Sequence, residues 1–180
     1  MALINTTTTG VLGSTFYGDG SGDLTVQQNG VTVNKITAAP TFSAYASATF
    51  TVADSTYTKI PINVELFDTN NNFDSTTNYR FTPTVAGYYQ VQGACFISPP
   101  NQTSGFILSL YKNGSEYQQL HRNQYGISFN QMAHGSLILY LNGTTDYIEL
   151  YVWQNGGSTR TFGQGTQQTT WFNGSLARAA

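Results

Sequence analysis

The sequence predicts an all-β sandwich or jelly roll, and three observations predict it. No long segment carries apolar residues at the i, i+3, i+4, i+7 spacing of an amphipathic helix. Runs that alternate apolar and polar residues recur instead, the period of a strand with one buried face. Asn-Gly pairs interrupt those runs, at 29–30, 113–114 and 142–143 among others. Between two alternating runs, Asn-Gly is the strongest short-range hairpin signal.

Taken in chain order, residues 1–40 are rich in Thr, Gly, Asn and Val, with aromatic residues only at Phe16 and Tyr17. Aromatic residues become frequent from Thr41 onward, and Pro40 is a natural boundary. This divides the chain into an N-terminal arm, 1–40, and a globular domain, 41–180. Within the arm, "FYGDGSGD" (16–23) spaces Asp19, Ser21 and Asp23 like the first ligands of a calcium loop. The pattern then fails, because Leu24 stands where the loop needs Gly and Gly30 where it needs Glu. No helix opens there to cradle a phosphate, so the stretch reads as a glycine-supplied turn. The next segments, "LTVQQ" and "VTVNKI", read as a small hairpin around Asn29-Gly30. A lone hairpin is marginal in water, which suggests docking against another surface. Phe16, Tyr17, Leu24, Val26, Val31, Val33 and Ile36 are the candidate attachment residues.

In the domain, "FILSLYKNGSEYQQL" (106–120) reads as two strands around Asn113-Gly114, and "HGSLILYLNGTTDYIEL" (134–150) repeats the pattern around Asn142-Gly143. "YIELYVWQNG" (147–156) places Ile148, Leu150 and Val152 on one face and Tyr147, Glu149, Tyr151 and Trp153 on the other. "TTWFNGSLA" (169–177) reads as a last strand. In "GSLILYLN", Leu137, Leu139 and Leu141 face one way while Ile138 and Tyr140 face the other, so both faces are apolar. A strand in a two-layer sandwich needs only one apolar face. The second face therefore predicts another subunit. "WFNGSL" shows the same feature more weakly through Trp171.

Composition narrows the function. Charged residues make up 9% of the 180 residues and the net charge is −2, against about 25% charged in typical domains. Nucleic-acid binding requires clustered Lys and Arg, and anionic membranes require the same; neither partner is expected. No run is long and apolar enough for a membrane helix, and the N-terminus reads as carrying no secretory leader. Cys95 is the single cysteine and lies among apolar residues, as a buried inert thiol would. His121 and His134 are the only histidines and have no visible companion ligand. With no catalytic motif of the serine-hydrolase or zinc-protease type, neither an enzyme nor a metal or other cofactor is expected. Exposed aromatics beside amides suit sugar stacking. Tyr117, Asn123 and Tyr125 are the candidate residues for a host-surface glycan.

From Phe42 on, the chain resembles the C1q domain of the C1q/TNF-like superfamily. "TFSAYAS" is similar to its first strand, and "IPINVELFDTNNNFDSTTNYRFTPTVAGYYQVQG" (60–93) to its signature, with Ile62, Asp68, Phe73, Phe81, Gly87 and Tyr89 at or near signature positions. Ile62 replaces the usual Phe, one extra residue lies between Phe73 and Phe81, and Val91 and Gly93 replace aromatics. The resemblance implies a ten-stranded jelly roll packed as a homotrimer. "GSLILYLN", "TTWFNGSLA" and "FSAYA" would then share the trimer-facing sheet, with Phe42, Tyr45, Ile138, Tyr140 and Trp171 as candidate interface residues. Residues 1–40 have no collagen-like Gly-X-Y period. They resemble instead the starts of bacteriophage virion proteins. Together the resemblances imply a trimeric structural protein on the virion surface, assembled in the host cytoplasm: a capsid decoration (cement) protein or short head fibre bound to the major capsid protein or another virion protein. The alternative they leave is a tail-fibre or receptor-binding tip.

Overall fold

A computed structural model describes residues 14–18, 24–28, 31–36, 39–97, 105–123, 130–164 and 168–180. The chain divides into two compact units, Met1–Ala39 and Pro40–Ala180.

The first unit is a three-stranded antiparallel sheet of β1 (Ser14–Gly18), β2 (Leu24–Gln28) and β3 (Val31–Ile36), with β2 in the middle. Phe16 pairs with Val26, and Leu24 with Ile36. Sequence pattern anticipates β2 and β3 but not β1, whose "STFYG" runs into a glycine-rich stretch and looks like the approach to a turn. The third strand takes the sheet beyond the two-stranded hairpin that is marginal alone in water. The Asp19, Ser21 and Asp23 stretch and the Asn29-Gly30 turn lie outside the described residues.

The second unit contains β4 (Thr41–Tyr45), β5 (Phe50–Val52), β6 (Thr58–Lys59), β7 (Val64–Asp68), β8 (Phe73–Asp74), β9 (Arg80–Phe81) and β10 (Gly87–Ile97), followed by β11 (Phe106–Lys112), β12 (Ser115–Asn123), β13 (Gln131–Leu141), β14 (Ile148–Gln154), β15 (Arg160–Phe162) and β16 (Trp171–Ala179). They form two antiparallel sheets. In one, β10 lies between β13 and β16, which leads on to β4 and β7, while β15 and β5 extend the far end of β10. In the other the order is β12-β11-β14-β9-β8, with β6 also on β14. The expectation that "FSAYA", "GSLILYLN" and "TTWFNGSLA" share a sheet is met by β4, β13 and β16.

Alternation builds the core between the sheets. Phe42 stacks on Phe81 at 4.3 Å and Phe73 at 5.0 Å, with Phe172 edge-on at 5.1 Å. Such rings contribute about 1.5–3 kcal/mol each by burial alone. Ile62, Phe73, Phe81 and Tyr89 are all buried here, and the Tyr89 hydroxyl donates to the Val85 carbonyl at 2.7 Å. Asp68 accepts the N–H groups of Phe73 (2.6 Å) and Asn70 (3.2 Å), closing the turn between β7 and β8. These signature residues are thus core side chains and a turn anchor.

Two sequence expectations are corrected here. Phe42 is 1% exposed and belongs to the core, not to an interface. Phe42 and Tyr45 are three residues apart on one strand, so they point to opposite faces. The second concerns the two Asn-Gly pairs. Asn113-Gly114, with φ of 53° and 78°, turns β11 directly into β12 across the Lys112–Ser115 pair, the geometry of a type I′ hairpin. Asn142-Gly143 makes no hairpin: β13 pairs with β10 and β14 with β11, so this connection carries the chain from one sheet to the other. Asn142 Oδ1 accepts the N–H groups of Thr144, Thr145 and Asp146 at 2.9–3.0 Å, and Asp146 binds Lys112 at 2.8 Å.

Gly143 has φ of 71°, and a Cβ there would stand 2.4 Å from the Ala86 nitrogen. Left-handed strain and backbone overlap each cost about 1–3 kcal/mol. Gly143→Ala is therefore expected to lower unfolding free energy by roughly 2–6 kcal/mol in urea titration. A loss below about 0.5 kcal/mol would show that the crossover can relax.

Candidate interaction surface

Strand register assembles the outward face of the β10 sheet row by row. Tyr140 lies opposite Tyr88, Ile138 opposite Gln90, Ser136 opposite Gln92 and His134 opposite Ala94. On the other side of β10, Ser175, Asn173 and Trp171 continue the Gln90, Gln92 and Ala94 rows. The Asn173 and Trp171 rows continue through Ser43 and Tyr45 of β4 to Phe67 and Val64 of β7. Ile138 is 62% exposed and Tyr140 is 42% exposed; Tyr140 packs edge-on against Tyr88 at 5.6 Å. Tyr45 and Trp171 are half-buried, and Phe67 of the edge strand β7 is exposed.

Charge is nearly absent from four of this sheet's seven strands, while β7 carries Glu65 and Asp68 and β15 carries Arg160. β4, β10, β13 and β16 contain no carboxylate, and among them only Arg178 and His134 carry or can take up positive charge. The face is thus built from Tyr, Ile and Trp around a Gln, Asn and Ser centre. Depletion of charge around apolar anchors marks the centre of a protein interface, and exposed contiguous apolar surface marks an interaction site.

The opposite face of the sandwich is different. Tyr111 stacks on Tyr151 at 3.9 Å, and Tyr57 meets Tyr111 at 5.7 Å and Trp153 at 6.4 Å. Charged groups thread this cluster: Lys59 pairs with Glu149, while Glu116 accepts from the hydroxyls of Tyr57 (3.0 Å) and Ser109 (2.7 Å). Burial, and then the Glu116 charge, pushes the Tyr111 hydroxyl up to about 12. Alternation along "YIELYVW" placed Tyr151 and Trp153 on this face. Tyr57 joins it from a distant loop, which local pattern does not reveal.

The remaining candidates are scattered. Tyr117 is exposed on β12, Asn123 donates to Gln131 Oε1 at 3.1 Å, and Tyr125 lies outside the described residues. His121 and His134 come together across β12 and β13 with ring centroids 6.4 Å apart, and His121 stacks on Phe106. Burial and the neighbouring His134 lower the His121 pKa. Among the described residues no group of three His, Cys, Asp or Glu is arranged to hold a metal. Cys95 is buried, which pushes its thiol up to about 12. The backbone of Phe16, Tyr17, Leu24, Val26, Val31, Val33 and Ile36 falls on β1–β3.

The layers, strand order and register define a TNF-like jelly roll. The crystal structure of murine APRIL matches with a TM-score of 0.54 at 12% identity, over 77% of this chain and 98% of that one. PRD1 vertex protein P5 matches at 0.48 and 12% identity, over 78% and 96%. No family model matches the chain. In sequence the chain is similar to phage-like element PBSX protein XkdV of Bacillus subtilis (strain 168), 31% identical over 102 residues. That match takes in 53% of this chain but 15% of the relative's length.

Proposed function

We propose that this chain is a non-enzymatic, homotrimeric structural protein of a phage-type virion. Residues 41–180 form its knob and residues 1–40 attach it to the particle. The observation that carries the reading is the nearly uncharged outward face of the β10 sheet, where Tyr88, Ile138 and Tyr140 are exposed beside half-buried Tyr45 and Trp171. Three copies around a threefold axis bury that face together. The likeness to a phage-element protein supports the setting, and the arm's composition supports the attachment role.

On the particle the protein acts as a capsid decoration or cement protein, or a short head fibre, bound to the major capsid protein. A trimer suits the local threefold points of a capsid, because a symmetric partner matches a symmetric surface. Three arms engaging at once raise avidity by orders of magnitude over one arm. Deletion of residues 1–40 is expected to leave the knob trimeric in light scattering and to remove it from purified particles in immunogold labelling. Particles that retain the truncated knob would refute the arm's role.

A further inference from the structure

A groove of about 580 Å3 opens on the second unit, and apart from Phe73 every residue lining it has a polar side chain. Several of these groups serve the protein itself. Asn72 donates to the Asn70 carbonyl at 3.1 Å and accepts the Thr84 N–H at 3.3 Å. Asp74 accepts five hydrogen bonds at 2.6–3.1 Å from Thr76, Thr77 and Asn78. Those bonds, led by the Thr77 N–H, hold its carboxyl well below the usual carboxylate range. Asp74 thus shapes the wall and has little capacity left for a ligand.

Other lining groups are engaged only in part. Glu65 uses Oε1 to accept from Ser75 at 2.5 Å and keeps Oε2. The Arg80 guanidinium lies over the Tyr147 ring, 4.4 Å from its centroid. Among the described residues neither Glu65 nor Arg80 forms an ion pair with the other or with any further group. Asn71 and Thr82 line the same groove.

We propose that this groove binds a neutral saccharide. A carboxylate oxygen that only accepts, a guanidinium fork that only donates and an amide that does both match vicinal hydroxyls, each of which donates and accepts. The lining holds two carboxylates, Glu65 and Asp74, against one cation, Arg80. That net charge of −1 disfavours phosphate and other polyanions. With Phe73 the one apolar side chain in the lining, a lipid or a drug-like apolar ligand is disfavoured. This site is separate from Tyr117 and Asn123, which do not line it, and it stands whether or not the protein is a virion component.

The test uses the full chain on an array of neutral bacterial and common hexose oligosaccharides, followed by titration of the best binder by saturation-transfer NMR. Binding is expected, with Arg80→Ala and Glu65→Gln each weakening it roughly 10- to 100-fold, the range for losing charge-assisted hydrogen bonds. Circular dichroism and oligomeric mass should be unchanged in both variants. Absence of binding to every saccharide at roughly millimolar concentration overturns the proposal. So does binding that survives both substitutions, or that is lost in Tyr117→Ala instead.

Discussion

Ile138→Asp is expected to reduce the particle observed by native mass spectrometry from three times 19.6 kDa to 19.6 kDa. Ile138 is 62% exposed in the single chain and stands in the Gln90 and Ser175 row. An aspartate there is fully solvated in an isolated protomer, so the fold should hardly notice it. In the proposed trimer the same carboxylate would be buried three times, on strands that offer it only Arg178 and His134. An unpaired buried charge costs several kcal/mol, and threefold repetition multiplies the penalty. Tyr140→Asp should act in the same direction and also remove the contact with Tyr88. A variant that keeps the trimer mass would show that the interface lies elsewhere, the aromatic face carrying Tyr111, Tyr151 and Trp153 being the next place to probe.

Phe42→Ala is expected to have the opposite signature: lost stability without a direct effect on association. Its ring touches Phe73, Phe81 and Phe172 at once, and truncating such a ring costs about 3–5 kcal/mol. That is a large part of the roughly 5–15 kcal/mol by which a domain is stable. Because assembly adds to apparent stability, the comparison belongs in the Ile138→Asp background, by urea titration of the monomer. A change below about 1 kcal/mol there would mean the ring is not the centre of the core.

The contrast between these two residues shows what the sequence does and does not disclose. Alternation in "GSLILYLN" separates Ile138 and Tyr140 from the three leucines, and the structure places both outward. The same parity rule applied to "TFSAY" would have put Phe42 and Tyr45 on opposite faces. Membership of a strand in the trimer-facing sheet does not place each of its side chains on the outer face, and Phe42 is turned to the core. The core rings were legible because signature spacing and burial coincide at Phe73, Phe81 and Tyr89. Asn142-Gly143 was not, because the dipeptide specifies a backbone bend and is silent about which sheet receives the next strand. Asn113-Gly114 and Asn142-Gly143 share that local chemistry and differ only in long-range pairing. The groove was invisible for a related reason: Glu65, Asn71, Arg80 and Thr82 belong to separate short segments whose meeting depends on the folded loops. The His121–His134 contact is likewise a product of the β12 and β13 edges and not of their spacing.

The absence of carboxylates from β4, β10, β13 and β16 has a kinetic consequence for copies that meet through this face. With little charge to guide approach, electrostatic steering contributes little, and encounter proceeds at an unassisted rate of about 10^5 to 10^6 per molar per second. Ionic strength then has little to screen. Subunits joined in this way assemble at much the same pace in fresh water, cytoplasm or brine, and washing with concentrated salt does not loosen them.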